Sequence, residues 1–464
     1  MRDSDHEDAR SLGSLPALAL VAGSMLGIGI FIAPPVVAAQ LDHPGTFLIM
    51  WLAGGASALF GALAVAELGA MMPRAGGDYP YLRLAYGPGI AFGVGWLQLL
   101  AIFPGSLATM AVGTASFQLP VVLGSYYELP LTFGLSPTIT WAFVIVIGLT
   151  ALNHVGVVLS GRFQVGLTGI PVLVLLVAGV CVLVSQGTDG GAWGSTTTPI
   201  RAPGLEATAL AFLPVYFAYS GWNAAIFVGG EIRNPARNLP RALVGGTLAV
   251  TALYFLLCVG FLAVFPMTDL AHVGEAGTAA ARTLFGSLGE LGVTTLIVLA
   301  MLGSINGTVL TGSRIAYAMA GHGHAPASAR KLHRRFRTPV AALWMQAGWS
   351  LVLVLSQSFE QLMNYTSAAM LITGTLTVMA VIVLRRKLPD TKRPYRTWGY
   401  PVTPILYATS SLVVLSVLAS NLDPSLFLGA GWFVGALLIH HFFLRRRVPA
   451  PNHAGPAGTS TPDG

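Results

Sequence analysis

Apolar runs of membrane-spanning length recur along this chain, and their repetition restricts the fold more than any other feature. Twelve occur in the 464 residues, at roughly 15–39, 47–72, 88–116, 138–155, 163–186, 206–231, 241–266, 288–320, 339–357, 360–384, 402–421 and 425–444. Each is long enough to carry a helix across about 30 Å of hydrocarbon. Only 9% of the residues are charged and 54% are hydrophobic, against roughly 25% charged in a soluble domain. The expectation is an all-α integral membrane protein with 12 transmembrane helices and no soluble domain.

Charge sets the expected orientation. Placing both termini in the cytoplasm puts 23 of the 25 Lys and Arg residues on that side, leaving Arg201 and Arg282 outside. This asymmetry is the signature of a cytoplasmic N-terminus. The net charge of +7 then reflects topology, and no nucleic-acid partner is expected. The acidic flank MRDSDHEDAR is unlike the positive start of a secretory signal peptide. Cys181 and Cys258 fall inside spans and read as buried thiols. The expected organisation is a cytoplasmic tail over 1–14, a transporter domain over 15–444 and a disordered cytoplasmic tail over 445–464.

Two spans are weakened at mid-depth. The first holds Gly23, Gly27 and Gly29 in "AGSMLGIGIFIAPP"; the sixth reads "FLPVYFAYSGWNAAIFVGGEIRNP", with Ser220–Gly221 near its middle. Each glycine costs a helix about 1 kcal/mol relative to alanine. The interruptions open two successive sets of five spans, about 15–186 and 206–384, with helices 11 and 12 over 402–444 trailing. Matching interruptions in two halves of opposite orientation point to an inverted-repeat secondary transporter. A helix unwound at mid-membrane bares N–H groups on one side and C=O groups on the other, tolerable only around a polar cavity. A zwitterion fits it. A carboxylate accepts from N–H groups at a half-helix N-terminus, and an ammonium donates to free carbonyls.

The stretches "GSMLGIGIF", "PRAGGDYPYL", "FAYSGWNAAIFVGGEIRNPARNLPRA", "GSINGTVLTGSRIAYAMA" and "KRPYRTWGYPVTP", in this order, resemble the amino acid–polyamine–organocation superfamily, within it the L-type amino acid transporter branch. The resemblance implies a leucine-transporter-like 5+5 inverted repeat with helices 1 and 6 discontinuous, and alternating access for amino acids. By position it implies a carboxylate held by the amides of Ile28 and Gly29, and an ammonium held by the carbonyls of Met25, Phe217, Ala218 and Ser220. Phe217 would lid the site, and Asn223 would be polar at its edge. Tyr219 and Trp222 share the motif, either as contacts or as packing. Two departures matter. Ile28 stands where relatives often have Ser, and Pro171 stands at or near a fifth-span lysine whose ammonium replaces a sodium ion in many relatives. Proton coupling through such a lysine is therefore closed to this chain.

Glu67, well inside the second span, is read as a structural or gating acid paired with Arg74 or a backbone group. Glu231 is read as an inner-gate ion pair near Arg233 and Arg237, or else as a solvated helix end. Ser304, Asn306 and Thr308 are assigned to hydrogen bonding between helices. His322-x-His324 and His440–His441 lack the carboxylates or cysteines of a metal site, so neither metal nor cofactor is expected. A membrane enzyme would need convergent ionisable groups at depth, and a channel a continuous polar lining. No acid stands near the breaks in spans one and six, so a cationic side chain or polyamine would lack a counter-charge. The expected cargo is a small to medium neutral L-amino acid carried across the cytoplasmic membrane. A cationic amino acid or polyamine permease of the same fold, and a channel, remain the alternatives.

Overall fold

The computed structural model describes residues 12–73, 76–128, 134–155, 202–336, 338–356 and 358–444, with isolated positions between 156 and 201. In chain order its helices are α1 (Ser14–Met25), α2 (Gly29–Ala38), α3 (Pro44–Met71), α4 (Tyr79–Tyr86), α5 (Pro88–Leu97), α6 (Phe103–Gly113), α7 (Leu119–Leu123) and α8 (Pro137–Val155). They continue with α9 (Leu205–Ala218), α10 (Ala224–Phe227), α11 (Pro235–Val264), α12 (Met267–Leu270), α13 (Ala276–Ala320), α14 (Val340–Ser356), α15 (Phe359–Lys387), α16 (Val402–Ser420) and α17 (Pro424–Ile439). Among the described residues, nine helical segments are long and apolar enough to cross a membrane, and Leu205–Ala218 and Val340–Leu355 are shorter apolar helices. Most of 163–186 lies outside the described residues, although Pro171 itself is helical and buried.

The chain leaves the helix over residues 26–28, between α1 and α2, and again over 219–223, between α9 and α10. Around these points the helices pack tightly: α11 lies along α3 and α1, α9 along α2, and α15 along α16, α17 and α6. Proline writes a further irregularity into the third span. Pro104 has no N–H to give Leu100, four residues back. A π turn, Gln98–Ile102, sits between α5 and α6, and the Leu100 carbonyl accepts instead from Trp349 Nε1 at 2.7 Å and Tyr365 Oη at 3.4 Å. Insertions of this kind often re-aim side chains at functional sites.

Near the C-terminal end of α3, Glu67 is buried in a polar knot. Its carboxylate accepts from Arg385 at 2.9 and 2.6 Å, and from the amide and hydroxyl of Thr397 at 2.7 and 2.8 Å. Arg393 Nε adds a contact at 3.2 Å, and the Arg385 guanidinium lies 3.7 Å above the Tyr400 ring. The cationic partners are Arg385 and Arg393, the Thr397 amide is the expected backbone group, and Arg74 lies outside the described residues. The knot ties α3 to α15 and to the segment leading into α16. A buried pair contributes little relative to an apolar pair, but removing one partner strands the other charge. Glu67→Ala is expected to lower unfolding free energy by about 3–5 kcal/mol, and Glu67→Gln by less, in equilibrium denaturation in detergent; near-wild-type stability of Glu67→Ala would contradict the knot.

Candidate functional site

The two breaks meet backbone to backbone. A Cβ on Gly29 would fall inside the van der Waals envelope of Ala218, and one on Gly221 would come within 2.6 Å of the Ser24 carbonyl oxygen. Gly221 also holds a φ of +95°, in the left-handed region that favours glycine. Each break therefore supplies a glycine that lets the other approach. The Tyr254 hydroxyl, from α11, reaches both, at 2.6 Å from the Met25 carbonyl oxygen and 3.1 Å from that of Ala218.

Between the breaks lies a cavity of about 90 Å³. Its walls are Ser24, Met25, Gly27, Ile28 and Gly29 from the first break, and Phe217, Ala218, Ser220, Gly221, Trp222 and Asn223 from the second. The third span adds Gln98, Ile102, Phe103, Ser106 and Met110; α13 adds Ser304, Thr308 and Thr311; α15 adds Met370, Thr373, Gly374 and Thr377. Of the expected ligand-binding residues, Met25, Ile28, Gly29, Phe217, Ala218 and Ser220 all face this one hollow, as do Trp222 and Asn223. At the start of α2, the N–H groups of Gly29 and Ile30 have no partner within their own helix.

Several expectations need correction. Gly23 is an ordinary buried position within α1 and takes no part in the break; it lies two residues before the helix ends. The Tyr219 ring turns away from the cavity, packing 6.1 Å from Trp51 and 5.1 Å from Tyr254 between ring centres. The Met25 carbonyl already accepts from Gly27 N at 2.8 Å as well as from Tyr254. Both its lone pairs are occupied, leaving none for an ammonium. Glu231 forms an ion pair as expected, with Arg314 of α13, Nη2 to Oε1 at 2.6 Å, a bond that reaches across the fold. Neither Glu67 nor Glu231 lines the cavity.

Ser304 and Asn306 act between helices as expected, whereas the Thr308 hydroxyl stays within α13. Ser304 Oγ donates to the Ser24 carbonyl at 3.4 Å, Asn306 Oδ1 accepts from Asn153 at 2.7 Å, and Thr308 bonds back to the Ser304 carbonyl. Among the described residues no three His, Cys, Asp or Glu side chains gather as a metal site. What sequence reasoning missed is Asp78. It precedes α4, outside the apolar runs, yet it is buried and lines the same cavity. Its Oδ2 accepts from Gln98 Nε2 at 2.8 Å. The premise that no acid stands near the breaks therefore fails, because the fold delivers one from a connecting segment. Gln98 was also missed, since it lies in the π turn that Pro104 induces. The "GGDYPY" stretch was itself the available signal for Asp78.

The amino acid permease family matches residues 12–438. The serine/threonine exchanger SteT of Bacillus subtilis (strain 168) is 32% identical over 419 residues, covering 89% of this chain and 92% of its own. The human b(0,+)-type amino acid transporter 1 is 29% identical, covering 94% of this chain and 89% of its own. The mouse Asc-type amino acid transporter 1 is 28% identical, covering 93% and 83%. These relatives are transporters, not enzymes. The chain is a multi-pass membrane protein that belongs to the amino acid permease family, in the L-type-transporter-like branch of the amino acid–polyamine–organocation superfamily.

Proposed function

We propose that this chain is a secondary active transporter that moves small to medium neutral L-amino acids across the cytoplasmic membrane by alternating access. The observation that carries this reading is the meeting of two helix breaks around one cavity. Nine apolar spans, two shorter apolar helices and the apolar run at 163–186 make twelve crossings. Five plus five of them form inverted repeats, both termini are cytoplasmic, and the basic connections face inward.

In this reading the Ile28 and Gly29 amides bind the substrate carboxylate at the positive end of α2. The carbonyls of Ala218 and Ser220 take the ammonium, each with a lone pair to spare for it, while that of Phe217 accepts from the Ser220 and Tyr219 amides. Phe217 closes the outer side, and Trp222 and Asn223 border the pocket. The Glu231–Arg314 and Glu67–Arg385 pairs latch the inner side, since each joins an element near a break to one packed against it.

Size favours a small cargo. A cavity of about 90 Å³ has the volume of about three waters at their liquid share of about 30 Å³ each, room for a small side chain rather than a large one. Ile28, Ile102, Phe103, Met110 and Phe217 make the lining largely apolar, with hydroxyls from Ser106, Thr373 and Thr377. The serine/threonine exchange named for the Bacillus subtilis relative supports the same class. Asp78 favours a second reading, a cationic side chain neutralised by that carboxylate.

Two measurements test these assignments. In proteoliposomes, serine, threonine and alanine are expected to compete for counterflow at least ten-fold better than arginine or putrescine; the reverse order would transfer the assignment to the cationic reading. Tyr254→Phe removes the hydroxyl joining the Met25 and Ala218 carbonyls, a loss worth about 1–3 kcal/mol. It is expected to weaken substrate binding about ten-fold or more in a protein that still folds, and unchanged affinity would contradict a binding site assembled from both breaks. A β-branched residue at Gly29 is a poor test, because it collides with the Ala218 backbone before it meets any ligand.

A further inference from the structure

We propose that Asp78 is a proton-binding site coupled to occupancy of the cavity, which makes transport by this chain proton-linked. The proposal rests on the amino acid carrier reading above and adds its second ligand.

The geometry isolates one carboxyl group. Asp78 is 1% exposed and sits on the wall of the cavity. One oxygen accepts from Gln98, while Oδ1 makes no hydrogen bond. The side chains of Asn223 and Thr377 lie beside the carboxyl, so it touches both the second break and α15. Among the described residues no Lys, Arg or His forms an ion pair with it. The ionisable groups that sense its charge are the phenols of Tyr81, of Tyr216 on α9 and of Tyr407 on α16.

The cations on neighbouring elements are engaged elsewhere. On α15, Arg385 bonds Glu67 and Lys387 bonds the Ala85 carbonyl, while Arg386 stands at the same helix end, nine residues beyond Thr377. On α13, Arg314 bonds Glu231 and Arg282 lies beside Glu290. On α4 itself, Arg83 stands in the last turn, five residues beyond Asp78. The α5 helix, PGIAFGVGWL, offers no ionisable side chain.

A buried carboxylate without a cation favours its neutral form. Burial pushes the Asp78 carboxyl up to about 7, against the opposing effect of the Gln98 hydrogen bond and of the nearby Asn223 and Thr377 side chains. It is protonated below that pH and ionised above it. A zwitterion filling the hollow that Asp78 lines removes the polar space beside the carboxyl and disfavours its charged form further, so substrate binding draws a proton onto it. The balance is simple: one proton adds to the carboxylate from the side where substrate enters, and the same O–H bond breaks to release it where substrate leaves. Such a site needs no fifth-span lysine, whose place is near Pro171.

The experiment uses the purified full chain with serine as the probe. In proteoliposomes, an inward proton gradient is expected to drive serine accumulation, up to about ten-fold per pH unit for one proton per substrate. In weakly buffered detergent at pH 7, adding serine is expected to take up protons from solution. Asp78→Asn is expected to lose both responses. Serine counterflow that ignores the gradient, with no proton uptake by the wild type, overturns the proposal and leaves the carrier reading standing. Failure of the wild type to move any amino acid overturns both. Because proton uptake is measured on the wild type, a variant that folds poorly does not remove the test.

Discussion

Backbone contact between the two helix breaks is the constraint on which the rest of this structure depends. Peptide groups left bare at mid-membrane are tolerable only where something polar faces them. Here they face each other and a small cavity. Gly29 lies against Ala218 and Gly221 against Ser24, so neither half-helix can shift without the other. The Tyr254 hydroxyl stands across the same junction. Movement that opens the cavity must therefore carry both breaks together, as expected of a site whose two sides are exposed in turn.

The surrounding helices both permit and limit that movement. The third span is interrupted by π turns at Gln98–Ile102 and Thr114–Gln118, and each precedes a proline, Pro104 or Pro120. The freed Leu100 carbonyl is held by Trp349 and Tyr365, which stitches the irregular stretch to α14 and α15. At one end of the bundle, Glu67 gathers Arg385, Arg393 and Thr397, and Glu231 grips Arg314. Buried Glu67 makes its pair with Arg385 costly to separate, whereas the Glu231 side chain is one-third exposed and its pair is the easier of the two to open.

Much of this was legible in the sequence because the signals are local. Apolar length gives the spans, and the glycines of "LGIGIF" and "YSGW" mark where helices end, since a few adjacent residues decide backbone geometry. Gly23 misled for the same reason: a glycine permits a break without requiring one, and Met25 ends the helix two residues later. Partners were harder. Glu67 and Arg385 are 318 residues apart, and Glu231 and Arg314 are 83 apart, so a reading of nearby sequence pointed to Arg74, Arg233 and Arg237 and had no means of finding Arg385 or Arg314. Asp78 was overlooked because hydropathy assigns its segment to a connection, whereas the fold turns "GGDY" inward against Gln98. Tyr219 and Trp222 show the limit of motif reading. They are three residues apart on one stretch, yet only Trp222 reaches the cavity.

The central claim is that peptide groups of the two breaks recognise a zwitterion, and binding to the purified protein tests it most directly. Recognition of both charged ends predicts that L-serine binds at least 100-fold more tightly than ethanolamine, which lacks the carboxylate, or glycolate, which lacks the ammonium. Affinities for all three within a few-fold of one another would contradict it.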